Sequence, residues 1–202
     1  MIDPPIEPML AKSSEKLPAA DGLMYEPKWD GFRALVFRSG SEVYIQSRDL
    51  RPLDRYFPEL HELFARELPD ASVFDGEIVI ATERGLDFDL LQQRLHPAAS
   101  RVAKLSQETP AAFVAFDLLA LGGRDLRALP FSERRAALEQ AFAHVPAPLH
   151  LTPATTDHAL AQSWLQQFEG AGLDGVMAKP AAGTYEPGKR AMLKIKHART
   201  AE

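Results

Sequence analysis

VFDGEIVI, residues 73–80, is apolar throughout except for two acids and a glycine. Its Val, Ile and Phe content favours a β-strand. Side chains alternate along a strand, so Asp75 and Glu77 share a face with Val73 and Val79. Covering that face carries two carboxylates inward, which is costly unless cations or a metal ion meet them. The fold must therefore bring positive charge to this strand.

Other stretches repeat the pattern or answer it. FVAFDLLAL (113–121) places Asp117 in an apolar strand. LDGVMAKP (173–180) has Asp174 before a buried-type strand and Lys179 at its end. In AMLKIKHAR (191–199), Met192, Lys194 and Lys196 face one way, and Leu193 and Ile195 the other. Two lysines on one strand face form a cationic ladder suited to phosphate. In YEPKWDGFR (25–33), the same alternation puts Glu26, Lys28 and Asp30 together. A surface ion pair is the ordinary fate of such a lysine; the surrounding stretches make a nucleophile the sharper reading.

Strand-type stretches fall at 23–28, 32–38, 42–47, 73–80, 112–120, 175–180 and 191–196, with a hairpin turn at Ser39-Gly40-Ser41. Helical spacing predicts helices over 57–68, 86–95, 132–143 and 156–169. Ser132 is the expected N-cap of the third. In the last, Leu160, Trp164 and Phe168 line one face, and Gly170 and Gly172 end the run. The strands come in groups without βαβ alternation, which predicts an α+β domain of mainly antiparallel sheets flanked by helices.

Composition narrows the function classes. No apolar run approaches the ~20 residues of a membrane span, and the opening MIDPPIEPMLAKSS is unlike a secretory leader. The chain has no cysteine, hence neither a disulfide framework nor a thiolate metal site, and a cytoplasmic location is expected. Its net charge is −5, yet residues 179–199 hold six Lys/Arg against Glu186 alone. A basic strip on an acidic body suits a phosphate-bearing ligand better than general adhesion to DNA. GAGLDG (170–175) matches a dinucleotide fingerprint in letters, but it follows a helix and leads into a strand, the reverse of the required context. SSEK (13–16) lacks partner motifs, and the six histidines lack zinc-ligand spacing.

Lys28, several carboxylates able to hold a divalent metal, and a set of cations make a coherent inventory. An ordinary lysine keeps its proton to about pH 10.4. Nearby Lys179, Lys194, Lys196 and a bound Mg²⁺ would each favour the neutral amine. The inventory fits attack on the α-phosphate of a nucleotide, with cations taking up the transition-state charge.

The chain resembles the adenylation (nucleotidyltransferase) domain of ATP-dependent DNA ligases, in particular the bacterial ligase C and ligase D types. Lys28-Trp29-Asp30-Gly31 matches the K-x-D-G motif. Ser47-Arg48, Asp75-Gly76-Glu77, Phe116-Asp117-Leu118-Leu119, Asp174 to Lys179, and Lys194-Ile195-Lys196 match the later motifs in order. The resemblance runs from about Pro8 to the C-terminus and implies the nucleotidyltransferase (ATP-grasp-like) fold. It implies that Lys28 bonds covalently to AMP, that Glu26 helps recognise adenine, and that Phe116 stacks on it. Arg33, Arg48 and Arg190 would contact the nucleotide, Glu77 its ribose and the metal, and Lys179, Lys194 and Lys196 its phosphates. ATP is the implied substrate, Mg²⁺ or Mn²⁺ the metal, and nicked or broken duplex DNA the partner, with other DNA end-repair proteins.

Two departures stand out. The fourth motif usually starts with Glu; here Asp174 is shorter by a methylene, which favours a water-bridged metal contact. Members also continue into an OB-fold domain. This chain stops at HARTAE, where that domain would begin, so residues 1–202 are expected to be the adenylation domain alone. RNA ligases and capping guanylyltransferases share the motif series, although FVAFDLL and YEPKWDGFR resemble the DNA ligase forms better. A non-catalytic nucleotide-binding module could dispense with Lys28.

Overall fold

The computed structural model describes residues 2–167 and 173–196. In chain order its elements are β1 (Leu10–Ser13), β2 (Leu23–Trp29), β3 (Phe32–Ser39), β4 (Glu42–Ser47), α1 (Pro58–Glu67), β5 (Ser72–Val79), β6 (Ala81–Thr82), β7 (Gly85–Leu86), α2 (Phe88–Gln92), α3 (Ala99–Glu108), β8 (Ala112–Leu121), β9 (Arg124–Asp125), α4 (Phe131–Ala141), β10 (Leu149–Leu151), α5 (His158–Gln167), β11 (Leu173–Pro180) and β12 (Arg190–Lys196). The expected α+β architecture is present. Among the described residues, no helix is long and apolar enough to cross a membrane.

Two main sheets carry the fold. One has four strands in the order β1-β12-β11-β2; the other runs β10-β8-β5-β3-β4, with β9 beside β8. Pairing is antiparallel except where β1 joins β12 and β10 joins β8.

Strand alternation sorts side chains into three apolar layers. Tyr25, Val176, Ala178 and Ile195 pack with Ala161 and Trp164 of α5. Ala34, Val36, Phe74 and Ile78 pack with Leu60 and Phe64 of α1. Between the sheets lie Leu35, Phe37, Val73 and Leu119 from one side and Met9 and Met192 from the other. Parity along these strands sends Arg33, Asp75 and Glu77 into the space between the sheets, opposite Glu26, Lys28, Lys179 and Lys194. One part of that space is apolar, and the other is filled with charge.

Several local expectations change. Ser132 does not cap α4: Pro130 occupies that position without a side-chain bond. The amides of Phe131 and Ser132 donate instead to the carbonyls of Gly183 and Ala181, at 2.8 and 2.9 Å. The loop after β11 thus satisfies the helix end from outside. The helix expected over 86–95 shrinks to Phe88–Gln92, because Gly85–Leu86 pairs with Ala81–Thr82 and Asp87 caps the helix by accepting from the Leu90 amide. Helix α3 and strands β1 and β10 were not anticipated. Leu160 is exposed while Trp164 is buried; Phe168, Gly170 and Gly172 lie outside the described residues.

Candidate active site

Glycine lets the turn between β2 and β3 approach the second sheet. A Cβ on Gly31 would run into the carbonyl oxygen of Ile78 and against Val79. Gly31 therefore presses the Lys28–Asp30 segment against β5, beside Glu77. Gly175 has φ of +139° and pairs with Lys28 on one side and Lys196 on the other. Met177 lies likewise between Glu26 and Lys194. These two cross-strand rows build the floor of the site.

One cavity is lined by nine of the eleven residues expected from sequence: Lys28, Glu26, Arg33, Arg48, Glu77, Phe116, Lys179, Arg190 and Lys194. Asp174 and Lys196 adjoin it through Lys28. The Lys28 Nζ donates to Asp174 Oδ2 at 2.6 Å, and Lys196 Nζ stands 3.9 Å from the same oxygen. Leu10 and Ala11 of the unanticipated β1 also line the cavity. Their only sequence signal was the resemblance beginning near Pro8.

The two ends differ in character. At one, Glu26 Oε1 meets Lys179 Nζ at 2.8 Å, with both side chains buried. Lys179 also donates to the Phe116 carbonyl at 3.3 Å, and its ammonium lies 4.5 Å from the Phe116 ring centre and 4.9 Å from that of Phe131. Lys179 thus engages Glu26 and two aromatic rings. Arg33 grips Asp75 through Nε and Nη2, both at 2.6 Å, and also donates to the Met9 carbonyl. Its guanidinium lies 5.1 Å from the Phe116 ring centre. Tyr185 completes the setting by donating to Asp75 at 2.7 Å.

At the other end Lys28 is part-exposed and Lys196 well exposed. Lys194 and Arg48 have no ion-pair partner among the described residues. Partial desolvation, with Lys28, Lys196, Arg190 and Arg48 nearby, lowers the Lys194 pKa. Asp30 is raised, first by desolvation and then by Asp174. The carboxylate pairing with Lys28 is therefore Asp174, from another strand, and not its neighbours Glu26 or Asp30.

The demand for buried cations set by the acidic strands is met selectively. Asp75 has Arg33, and Asp117 has Arg134 at 2.9 Å. Glu77 has no hydrogen-bond or ion-pair partner among the described residues. Burial pushes its carboxyl up to about 8, against the pull of Arg33 and Lys28. It is the acid left available to a ligand. Among the described residues no group of three or more His, Cys, Asp or Glu forms a ready metal cage. Glu77 and Asp174 are the carboxylates of the site that could contribute oxygen ligands to a divalent ion.

A lysine beside a carboxylate, facing unpaired cations in a cleft between two sheets, is an arrangement suited to a phosphate-bearing ligand. The ATP dependent DNA ligase domain model matches residues 8–196, and the chain belongs to that family. It is 60% identical over 199 residues to DNA ligase C2 of Mycolicibacterium smegmatis, covering 98% of this chain and 56% of the relative. To DNA ligase C of Mycobacterium tuberculosis it is 58% identical over 203 residues, covering 98% and 56%. Among solved structures, the ligase domain from M. tuberculosis LigD superposes with a TM-score of 0.75 at 31% identity, covering 95% of this chain and 60% of that one. Mycobacterial DNA ligase D complexed with ATP and MES gives 0.71 at 30% identity, with the same coverage. The chain thus spans a little over half the length of these curated relatives.

Proposed function

We propose that the chain is the adenylation domain of an ATP-dependent DNA ligase, and that Lys28 is its nucleophile. The observation carrying this reading is the setting of Lys28: hydrogen-bonded to Asp174, on the wall of a cavity that also holds Glu77, Arg48, Arg190 and Lys194. Asp174 is within reach to take the lysine's first proton. The freed amine attacks the α-phosphorus of ATP, forming a P–N bond as the P–O bond to pyrophosphate breaks. The second proton passes from the nitrogen to solvent at the part-exposed lysine as the phosphoramidate forms. Lys194, Arg48, Arg190 and the exposed Lys196 supply positive charge where phosphate charge develops.

Glu77 and Asp174 would hold the divalent metal, directly or through water. When bound, Mg²⁺ or Mn²⁺ polarises phosphoryl oxygens as a Lewis acid. Phe116 and Glu26 form the base end, stacking and hydrogen-bonding the adenine. A second cavity shares Lys28, Arg33, Arg48 and Glu77 with the first and adds Arg51, Arg55 and Tyr56. It is the proposed seat of the acceptor DNA end, whose 5′-phosphate takes AMP from Lys28 before the nick is sealed.

Intact-mass spectrometry after incubation with ATP and Mg²⁺ tests the reading. The protein should gain one AMP in a bond stable to base and labile to acid, and Lys28→Ala should gain none. Persistence of the adduct in Lys28→Ala would overturn the assignment.

A further inference from the structure

Two buried polar atoms near the base end lack hydrogen-bond partners among the described residues, and they are of opposite kind. One is Oε2 of Glu26, a residue that lines the nucleotide cavity; the other is Arg135 Nη1, on α4. Both residues are almost fully buried, at 1% and 6% exposure. Arg135 is otherwise tied down: Nε donates to Glu139 Oε1 at 2.9 Å and Nη2 to the Thr152 carbonyl at 2.9 Å. Thr152 in turn accepts from the Trp29 indole at 2.9 Å, next to Lys28, and its amide bonds to Ala115, next to Phe116. The guanidinium therefore stands behind the site, fixed to the strands that carry it. A buried guanidinium with a spare donor is costly unless its charge is used.

The charges acting on Glu26 come from several elements. Lys179 on β11 and Arg135 on α4 favour the carboxylate, and Asp117 on β8 opposes it while held by Arg134. Burial pushes the Glu26 carboxyl up, more strongly than any single neighbour pulls it down. Lys179 already occupies Oε1, so the oxygen left for a further partner is Oε2. As a carboxylate oxygen it accepts a hydrogen bond; protonated, it donates one. Adenine offers an amino group at the relevant edge and guanine a carbonyl oxygen.

We propose that Arg135 is a positioning residue that sets nucleotide specificity: it holds Glu26 as a carboxylate from behind, so that Oε2 accepts an adenine amino group and repels a guanine carbonyl. This rests on the reading of Glu26 and Phe116 as the base end.

Calorimetric binding of α,β-methylene ATP and GTP, which allow no transfer to Lys28, to the purified protein tests the proposal between about pH 6 and 9. Loss of a nearby guanidinium raises a carboxyl pKa. Arg135→Met should therefore lower the ATP-over-GTP preference roughly tenfold at neutral pH, with recovery as pH rises and Glu26 ionises again. Arg135→Lys should keep most of the preference. In the parent protein the preference should fade on acidification while circular dichroism stays unchanged, a measurement that needs no variant. A ratio in Arg135→Met equal to that of the parent at every pH overturns the proposal, and so does a pH-independent ratio in the parent. Failure of the parent to bind the ATP analogue at all would instead remove the base-end reading beneath it.

Discussion

The two ends of the nucleotide cavity solve opposite problems. At the base end the charges are buried or, for Arg33, nearly so, and nearly every one is matched: Glu26 with Lys179, Asp75 with Arg33 and Tyr185, Asp117 with Arg134. At the reacting end the charges are part-exposed and mostly unmatched: Lys194, Arg48 and Glu77 await a partner, and Asp174 is shared between Lys28 and Lys196. A buried end is rigid and selective because an unmatched charge there is costly. An open end remains free to take up phosphate charge and to exchange protons. The division implies that mutations at the first end act mainly on stability and selectivity, and at the second mainly on chemistry.

The sharpest separation should come from Lys28. Lys28→Ala should abolish the AMP adduct while changing the melting temperature by only a few degrees, since the lost ion pair is part-exposed. Mass spectrometry and thermal denaturation of the same sample measure both. Next comes Lys179→Met, which leaves Glu26 buried without its cation. It should cost about 3–5 kcal/mol, or roughly 10 °C in melting temperature for a chain of this size. The double variant Glu26→Gln, Lys179→Met should recover part of the loss. A Lys179→Met protein as stable as the parent would erase the contrast between the ends.

Glu77 belongs to the boundary between them, and its pH dependence follows from a carboxyl raised from 4.5 to about 8. Within that window the native protein keeps a proton that the unfolded chain has released. Stability therefore falls as pH rises from the lower value to the upper and is level above it. Glu77→Gln should flatten that slope and gain on the order of 2 kcal/mol over the parent in the alkaline range, after allowance for solvent at a part-buried group. Melting curves across the window measure this; parallel profiles for the two proteins would assign the slope to other groups.

Strand parity made much of this legible. Alternation alone placed Glu26 with Lys28, Asp75 with Glu77, and Lys194 with Lys196; in the fold Glu26, Lys28, Glu77 and Lys194 line the cavity, Asp75 lies buried against Arg33, and Lys196 stands exposed at the edge. The pairings were not legible. Residues two apart on a strand share a face but lie farther from each other than cross-strand neighbours, which come within about 5 Å. Lys28 therefore finds Asp174 next to its register partner Gly175, and Glu26 finds Lys179 two strand positions from its own partner Met177. Register between strands about 150 residues apart is a tertiary property. The same holds for β1 and β10, which are too short to show a pattern. In α3, only Val102 and Leu105 are buried, too few to mark a helix by periodicity. Ser132 misled because the helix starts earlier, with Pro130 in the cap position and the loop after β11 accepting from the amides of Phe131 and Ser132.

The smallest expected effect on stability sharpens the comparison most. Asp174→Asn removes a 2.6 Å ion pair, a length that at the base end would mark a costly loss. Here the side chains are 21% and 36% exposed, and the second contact, with Lys196, is stretched to 3.9 Å. Water and salt can replace the partner on either side, so the stability cost should stay below about 1 kcal/mol, a shift of roughly 2–4 °C. Asn keeps the shape and a hydrogen-bond acceptor but cannot take the lysine's proton at neutral pH. Formation of the AMP adduct should therefore slow by about 10²-fold or more, with partial recovery as pH rises and solvent deprotonates the amine. Single-turnover adduct formation against pH, set beside melting curves, reads both quantities. A large loss of stability with an unchanged rate would put Asp174 among the structural ion pairs and move the proton acceptor for Lys28 elsewhere, with Glu77 next in line.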